Sequence, residues 1–180
     1  MAAYAAFLRG INLGRRRISG GELCEAFTAL GLEDVRAFRA SGNVAFTARR
    51  ARPAQLAARI EEGLEETLGY SVPTFLRSAE EVRAIAVHEP FETSLLQASG
   101  GKLQVDLLRS SPDGRARDAV LALADEEDRL TFGERELYWL PSGGLLESAL
   151  DLAAIERLLG PSTRRTKGTI EQFAGKHFPP

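Results

Sequence analysis

The apolar run Tyr4-Ala5-Ala6-Phe7-Leu8 stops at Arg9-Gly10, and Asn12 and Gly14 follow, so a β-strand is expected to empty into a loop of special backbone geometry. Ser19-Gly20-Gly21-Glu22 has the form of a capping box, and Leu23, Phe27 and Leu30 fall at i, i+4 and i+7, predicting a helix that ends at Gly31. Val35 to Ala40 and Val44 to Thr47 read as strands joined by the tight turn Ser41-Gly42-Asn43. Pro53 suits a first helical position. Leu56, Ile60, Leu64 and Leu68 then recur every fourth residue until Gly69, and Val72 to Arg77 follows as a strand. Residues 1–78 thus predict β-α-β-β-α-β, a ferredoxin-like subdomain whose usual sheet order is 4-1-3-2 with antiparallel neighbours.

A similar pattern then restarts. Ser78-Ala79-Glu80-Glu81 is a second capping box, opening a helix to about His88 that Glu89-Pro90-Phe91 breaks. Leu103 to Leu108 reads as a strand, and Ser111-Pro112-Asp113 opens a helix through about Ala124. Arg129 to Phe132 and Leu137 to Leu140 form a predicted hairpin, and a helix follows from about Leu146 to Leu159. Residues 79–180 accordingly read as a second, smaller α+β subdomain, β-α-β-β-α, with a basic tail after Gly160-Pro161. In that tail Thr169-Ile170-Glu171-Gln172 marks the start of a short final helix. No residue-level repeat links the halves, and no long linker parts them, so they are expected to pack together. The strands Tyr4 to Leu8, Val44 to Phe46 and Phe75-Leu76 are apolar on both alternations, which predicts that the second half covers the open face of the first sheet.

Composition narrows the chemistry. An apolar fraction of 44% over 180 residues can fill a core. No segment approaches the ~20 apolar residues of a membrane span, and no signal peptide precedes the first strand, so a cytoplasmic protein without membrane association is expected. Cys24 cannot form an internal disulfide, and with only His88 and His177 beside it no zinc spacing exists; neither a metal nor a cofactor is expected. Net charge is −2, unevenly spread: residues 1–78 carry 11 basic and 8 acidic side chains, residues 79–160 carry 8 and 16, and residues 161–180 carry 4 and 1. Cys24 reads as a buried helical thiol, His88 as a helix C-cap and His177 as part of a mobile tail. Asp125-Glu126-Glu127-Asp128 reads as a solvated turn. Trp139 and Tyr138 read as one core residue and one partly exposed neighbour on a strand.

In a ferredoxin-like first half, the loop after strand one and the hairpin between strands two and three share one sheet edge. That edge would gather the Arg9 guanidinium, the Asn12 and Asn43 amides, the Ser41 hydroxyl, the backbone of Gly10, Gly14 and Gly42, and the Arg15 to Arg17 triplet. Such donors favour phosphate or carboxylate, and Arg165 of the basic tail is a further candidate. The bound species would be a phosphate-bearing small molecule or a nucleic-acid backbone. The same residues admit a purely structural reading, in which the glycines supply positive φ and the amides bond their own loops. G-x-x-x-x-G-K-[ST] is absent, R-G-x-N-x-G is not a dinucleotide fingerprint, and no Ser/His/Asp, Cys/His or paired-carboxylate site is present.

Leu8-Arg9-Gly10-Ile11-Asn12-Leu13-Gly14, Ser41-Gly42-Asn43-Val44-Ala45-Phe46 and Thr163-Arg164-Arg165-Thr166-Lys167-Gly168-Thr169-Ile170 together resemble the bacterial family catalogued as domain of unknown function 1697. The third segment departs from that family's T-x-R-N-W-x-T-V: Arg165 and Thr169 match, while Thr166 and Lys167 replace Asn and Trp. Ala149 stands where a Ser-Lys pair usually has its lysine. The resemblance implies a ferredoxin-like subdomain joined to a second α+β subdomain, and implies no activity. Besides anion binding, two classes stay open: an enzyme using the edge as an oxyanion clamp, and a protein-interaction or self-association domain.

Overall fold

The computed structural model describes residues 1–39 and 42–179; Ala40 and Ser41, which the sequence places at a strand end and in the hairpin turn, lie outside the described residues. The first elements are β1 (Ala2–Leu8), α1 (Gly20–Ala29), β2 (Glu33–Phe38), β3 (Asn43–Ala48), α2 (Pro53–Leu68), β4 (Thr74–Ser78) and α3 (Ala79–Val87). They are followed by α4 (Thr93–Ala98), β5 (Gln104–Leu108), α5 (Gly114–Leu121), β6 (Asp128–Phe132), β7 (Glu136–Pro141), α6 (Leu152–Leu159), β8 (Ser162–Thr166) and α7 (Lys167–His177). The described chain is a mixed α+β fold with two four-stranded antiparallel sheets, ordered β2-β3-β1-β4 and β6-β7-β5-β8. It divides into two compact units. The first is Met1–Ala84 with the C-terminal residues from Phe173, and the second is Ile85–Gln172, so the chain changes unit within α3 and again within α7.

Local chemistry explains the first unit. Ser19 Oγ accepts the Glu22 N–H, and the Glu22 carboxylate accepts the Ser19 N–H at 2.7 Å, which starts α1 and holds the Glu22 carboxyl below its ordinary 4.5. Gly69 at φ 76 ends α2 in the left-handed region that a side chain would strain. Tyr4, Ala6 and Leu8 face α1 and α2, packing with Leu23, Phe27, Ile60 and Leu64. On the other face of β1, Phe7 meets the C-terminal end of α7: Phe173 lies 5.6 Å from both Phe7 and Phe38, ring centre to ring centre. Within this unit, therefore, the doubly apolar strands are covered by the last turns of α7, a segment of the half, residues 79–180, to which the sequence pointed.

The second unit contradicts several sequence expectations. Ser162-Thr-Arg-Arg-Thr166 is a full strand, β8, paired along β5, so the unit is β-α-β-β-α-β, with no polar tail at that point. Thr166 Oγ1, at the end of that strand, accepts the Thr169 N–H at 3.2 Å and starts α7 two residues before the predicted box. α6 begins at Leu152, capped by Asp151, because Gly143 to Leu150 forms turns and the Ser148 hydroxyl bonds Asp128 at 2.7 Å. The short α4 was not expected. Tyr138 and Trp139 are both buried, since both faces of β7 are covered. The acidic run is likewise only partly solvated: Asp125 Oδ1 accepts the N–H groups of Glu127 and Asp128, and buried Asp128 accepts the Trp139 indole N–H at 2.6 Å.

Pairing registers supply the correspondence that residue identity hides. Ala5 pairs with Arg77 and Leu8 with Thr74 in the first sheet; Val105 pairs with Arg165 and Leu108 with Ser162 in the second. The Leu8 N–H donates to Gly42 O, and the Leu108 N–H to Arg135 O, both in the central hairpin turn of their unit. Ser78 and Thr166, next along, each cap the helix that follows.

His177 ends α7 rather than lying in a mobile tail, with its ring 4.9 Å from Phe173 and 5.7 Å from Phe38. Its Nε2 is shielded and has no hydrogen-bond partner among the described residues, and the charges facing it are Lys176 on its own helix and Arg36 on β2. Desolvation first, then those two cations, lower its pKa below the ordinary 6.5. The unfolded chain consequently binds this proton more readily than the folded one. The neutral ring's contribution is complete above about pH 6.5 and declines as pH falls below it, toward the depressed folded pKa. Urea midpoints measured from about pH 7 down to about pH 5.5 should fall less steeply for His177→Gln than for the parent; parallel curves would show that His177 does not supply the dependence.

Candidate functional site

The loop after β1 is pinned on both sides as it leaves the sheet, by the Leu8 N–H to Gly42 O at 2.7 Å and the Arg9 N–H to Pro73 O at 2.9 Å. Gly10, at φ 70, turns the chain so that Ile11 drops into the core with 3% exposure. The Ile11 carbonyl accepts the Tyr70 hydroxyl at 3.1 Å, and Asn12 Oδ1 accepts the Ile18 N–H at 2.8 Å, which closes the loop across six residues. Gly14 makes a second left-handed turn at φ 60, and its carbonyl accepts Arg17 Nη1.

The hairpin turn does meet this loop. A Cβ on Gly42 would stand 2.9 Å from Ile11 Cγ2 and 3.0 Å from Leu8 Cβ, at φ 68, so the residue between the two segments has to be glycine. Asn43 is fully buried opposite Phe7, and its Nδ2 donates to Phe38 O at 3.3 Å. The two amides proposed as ligand donors thus make bonds that shape their own turns, as the structural reading allows. Arg165 lies in the second unit, on β8, donating from Nη1 to Thr163 Oγ1 and to Arg164 O at 2.7 Å; burial pushes its pKa down to about 10, which still leaves it charged at neutral pH. Sequence reading missed its counterpart Arg77, 1% exposed on β4, whose Nη1 likewise donates to the carbonyl of the preceding residue. The only signal for it was an arginine inside an apolar strand.

The arginine triplet opens on a different feature. Arg15 to Ile18, the α1 face formed by Glu22, Glu25, Ala26 and Ala29, and Thr67 to Tyr70 at the end of α2 enclose an open groove of about 670 Å³. The α1 residues fall at i, i+3, i+4 and i+7, so they form one stripe along the groove wall. The Arg16 guanidinium lies 4.1 Å from the Tyr70 ring centre, and the Tyr70 hydroxyl is tied to the backbone of the same loop. Among the described residues no group of three His, Cys, Asp or Glu side chains is placed to hold a metal, and no helix is long and apolar enough to cross a membrane.

The fold is similar to that of the conserved bacterial protein SP0830 from Streptococcus pneumoniae, with a TM-score of 0.74 and 24% identity over 98% of each chain; at that identity the likeness speaks for the fold alone. No curated protein matches the chain. The family described as protein of unknown function DUF1697 matches residues 1–138, a span that includes both the arginine loop and the groove walls, and the chain belongs to that family.

Proposed function

We propose that this chain is a cytoplasmic binding module for a phosphate-bearing ligand, held at the arginine-bearing end of the loop that follows β1. The β-α-β-β-α-β order of each unit supports the ferredoxin-like reading of the scaffold. In this reading Gly10, Asn12, Gly14, Gly42 and Asn43 build the platform, and the arginines contact the anion. Arg9 stands at the root of the loop, and Arg165 takes no part in the groove.

The observation that carries the reading is the groove itself. Three consecutive arginines line one wall of a cavity of mononucleotide size, next to a tyrosine fixed by its own hydroxyl. Guanidinium groups are suited to phosphate because their N–H pairs match two of its oxygens at once. Ribose 5-phosphate at about a hundred times its Kd should raise the unfolding temperature by roughly 5 °C. The exposed pair Arg15→Ala with Arg17→Ala should weaken binding at least tenfold without changing the unliganded melting temperature. If neither inorganic phosphate nor ribose 5-phosphate at about 10 mM moves the transition, the reading fails.

A further inference from the structure

We propose that the groove selects a nucleoside phosphate whose base carries an exocyclic amino group, with AMP as the representative ligand; this rests on the anion-binding reading above. The ionic groups lining the groove are not equivalent. Arg17 is held by the carbonyls of Gly14 and Arg16, and Glu22 is committed to the Ser19 N–H. The side chains of Arg15 and Glu25 have no hydrogen-bond or ion-pair partner among the described residues, yet both line the same cavity. A bare phosphate would satisfy Arg15 and be repelled by Glu25. A ligand complementary to both must be anionic at one end and present an N–H donor at the other.

The groove also supplies an aromatic surface, the Tyr70 ring under Arg16. The Arg16 guanidinium lies over the Tyr70 ring, and both side chains line the cavity; a guanidinium is a planar, weakly hydrated cation on which heteroaromatic rings stack. Ala26 and Ala29 on the α1 stripe keep the wall low enough for a ring to approach. A nucleotide carries a complement to each of the three features. Its phosphate sits on Arg15, its base on the Arg16–Tyr70 stack, and its exocyclic amino group donates to the Glu25 carboxylate. The carbonyl of hypoxanthine at the same ring position would meet that carboxylate acceptor to acceptor.

Calorimetric titration of the full chain with AMP, IMP and ribose 5-phosphate tests this. AMP should bind about tenfold more tightly than IMP, and ribose 5-phosphate at least tenfold more weakly than AMP. Glu25→Gln, on an exposed helix position, should remove the preference for AMP over IMP without weakening ribose 5-phosphate binding. Equal affinity of the parent protein for AMP and ribose 5-phosphate would overturn the base site and leave the anion reading standing. Equal affinity for AMP and IMP would overturn the role of Glu25. Binding of none of the three would remove the anion reading and this one with it.

Discussion

Replacing Phe173 by alanine should destabilise the first unit by about 4 kcal/mol, the cost of removing a buried aromatic ring whose surroundings cannot collapse into the space. Phe173 is fully buried, and its ring lies 5.6 Å from Phe7, 5.6 Å from Phe38 and 5.6 Å from Phe178. Phe7 and Phe38 belong to a sheet face whose strand residues, among them Ala5 and Phe75, have almost no exposure, so the end of α7 shields apolar surface that the first 84 residues would otherwise present to water. Phe173→Leu keeps most of the volume and should cost about 1.5 kcal/mol or less. Urea unfolding followed by tryptophan-independent signals, such as far-UV circular dichroism, gives both values. A loss below about 1 kcal/mol for the alanine variant would mean that the helix end is not what seals this face.

The first sheet could be read from the sequence because its signals are local. Two Ser-x-x-Glu boxes, at Ser19 and Ser78, mark helix starts; Pro53 and Gly69 bracket α2, and the apolar runs are long enough to name strands. β8 was hidden because its stabilisation is not apolar. Of its five residues only Thr163 is fully buried, and its central arginine is anchored by a carboxylate on β5. A hydropathy pattern carries no trace of a strand held by an ion pair. The start of α6 was misplaced for the opposite reason. Leu145 and Leu146 look like the first members of a buried stripe, but Leu146 is fully exposed and the chain turns there. At the candidate site, the meeting of loop and hairpin followed from topology, and Gly42 between them followed from residue type. The groove did not follow, because Tyr70 lies beyond the end of α2, and only the folded loop brings it under Arg16.

Asp106→Ala should cost the second unit about 3 kcal/mol, more than any exposed ion pair would, because this pair is bidentate and its acid is buried. Arg164 Nε and Nη2 reach Asp106 Oδ1 and Oδ2, each at 2.7 Å, and Asp106 is 2% exposed. The same guanidinium lies 4.6 Å from the Trp139 ring centre, and Trp139 in turn donates its indole N–H to Asp128, so removing the aspartate leaves a cation stacked on an aromatic face without its counter-charge. Arg164 keeps some solvent access, which limits the penalty at its end of the pair. The net worth of the pair is smaller than the cost of breaking it, since both charges were desolvated to form it. In a double-mutant cycle by urea unfolding with the single variants Asp106→Leu and Arg164→Met, the double variant should therefore recover at least half of the loss of Asp106→Leu alone. A double variant as unstable as the sum of the two singles would contradict the coupling. It would leave β8 held by its backbone ladder to β5 and by the Thr166 cap that follows.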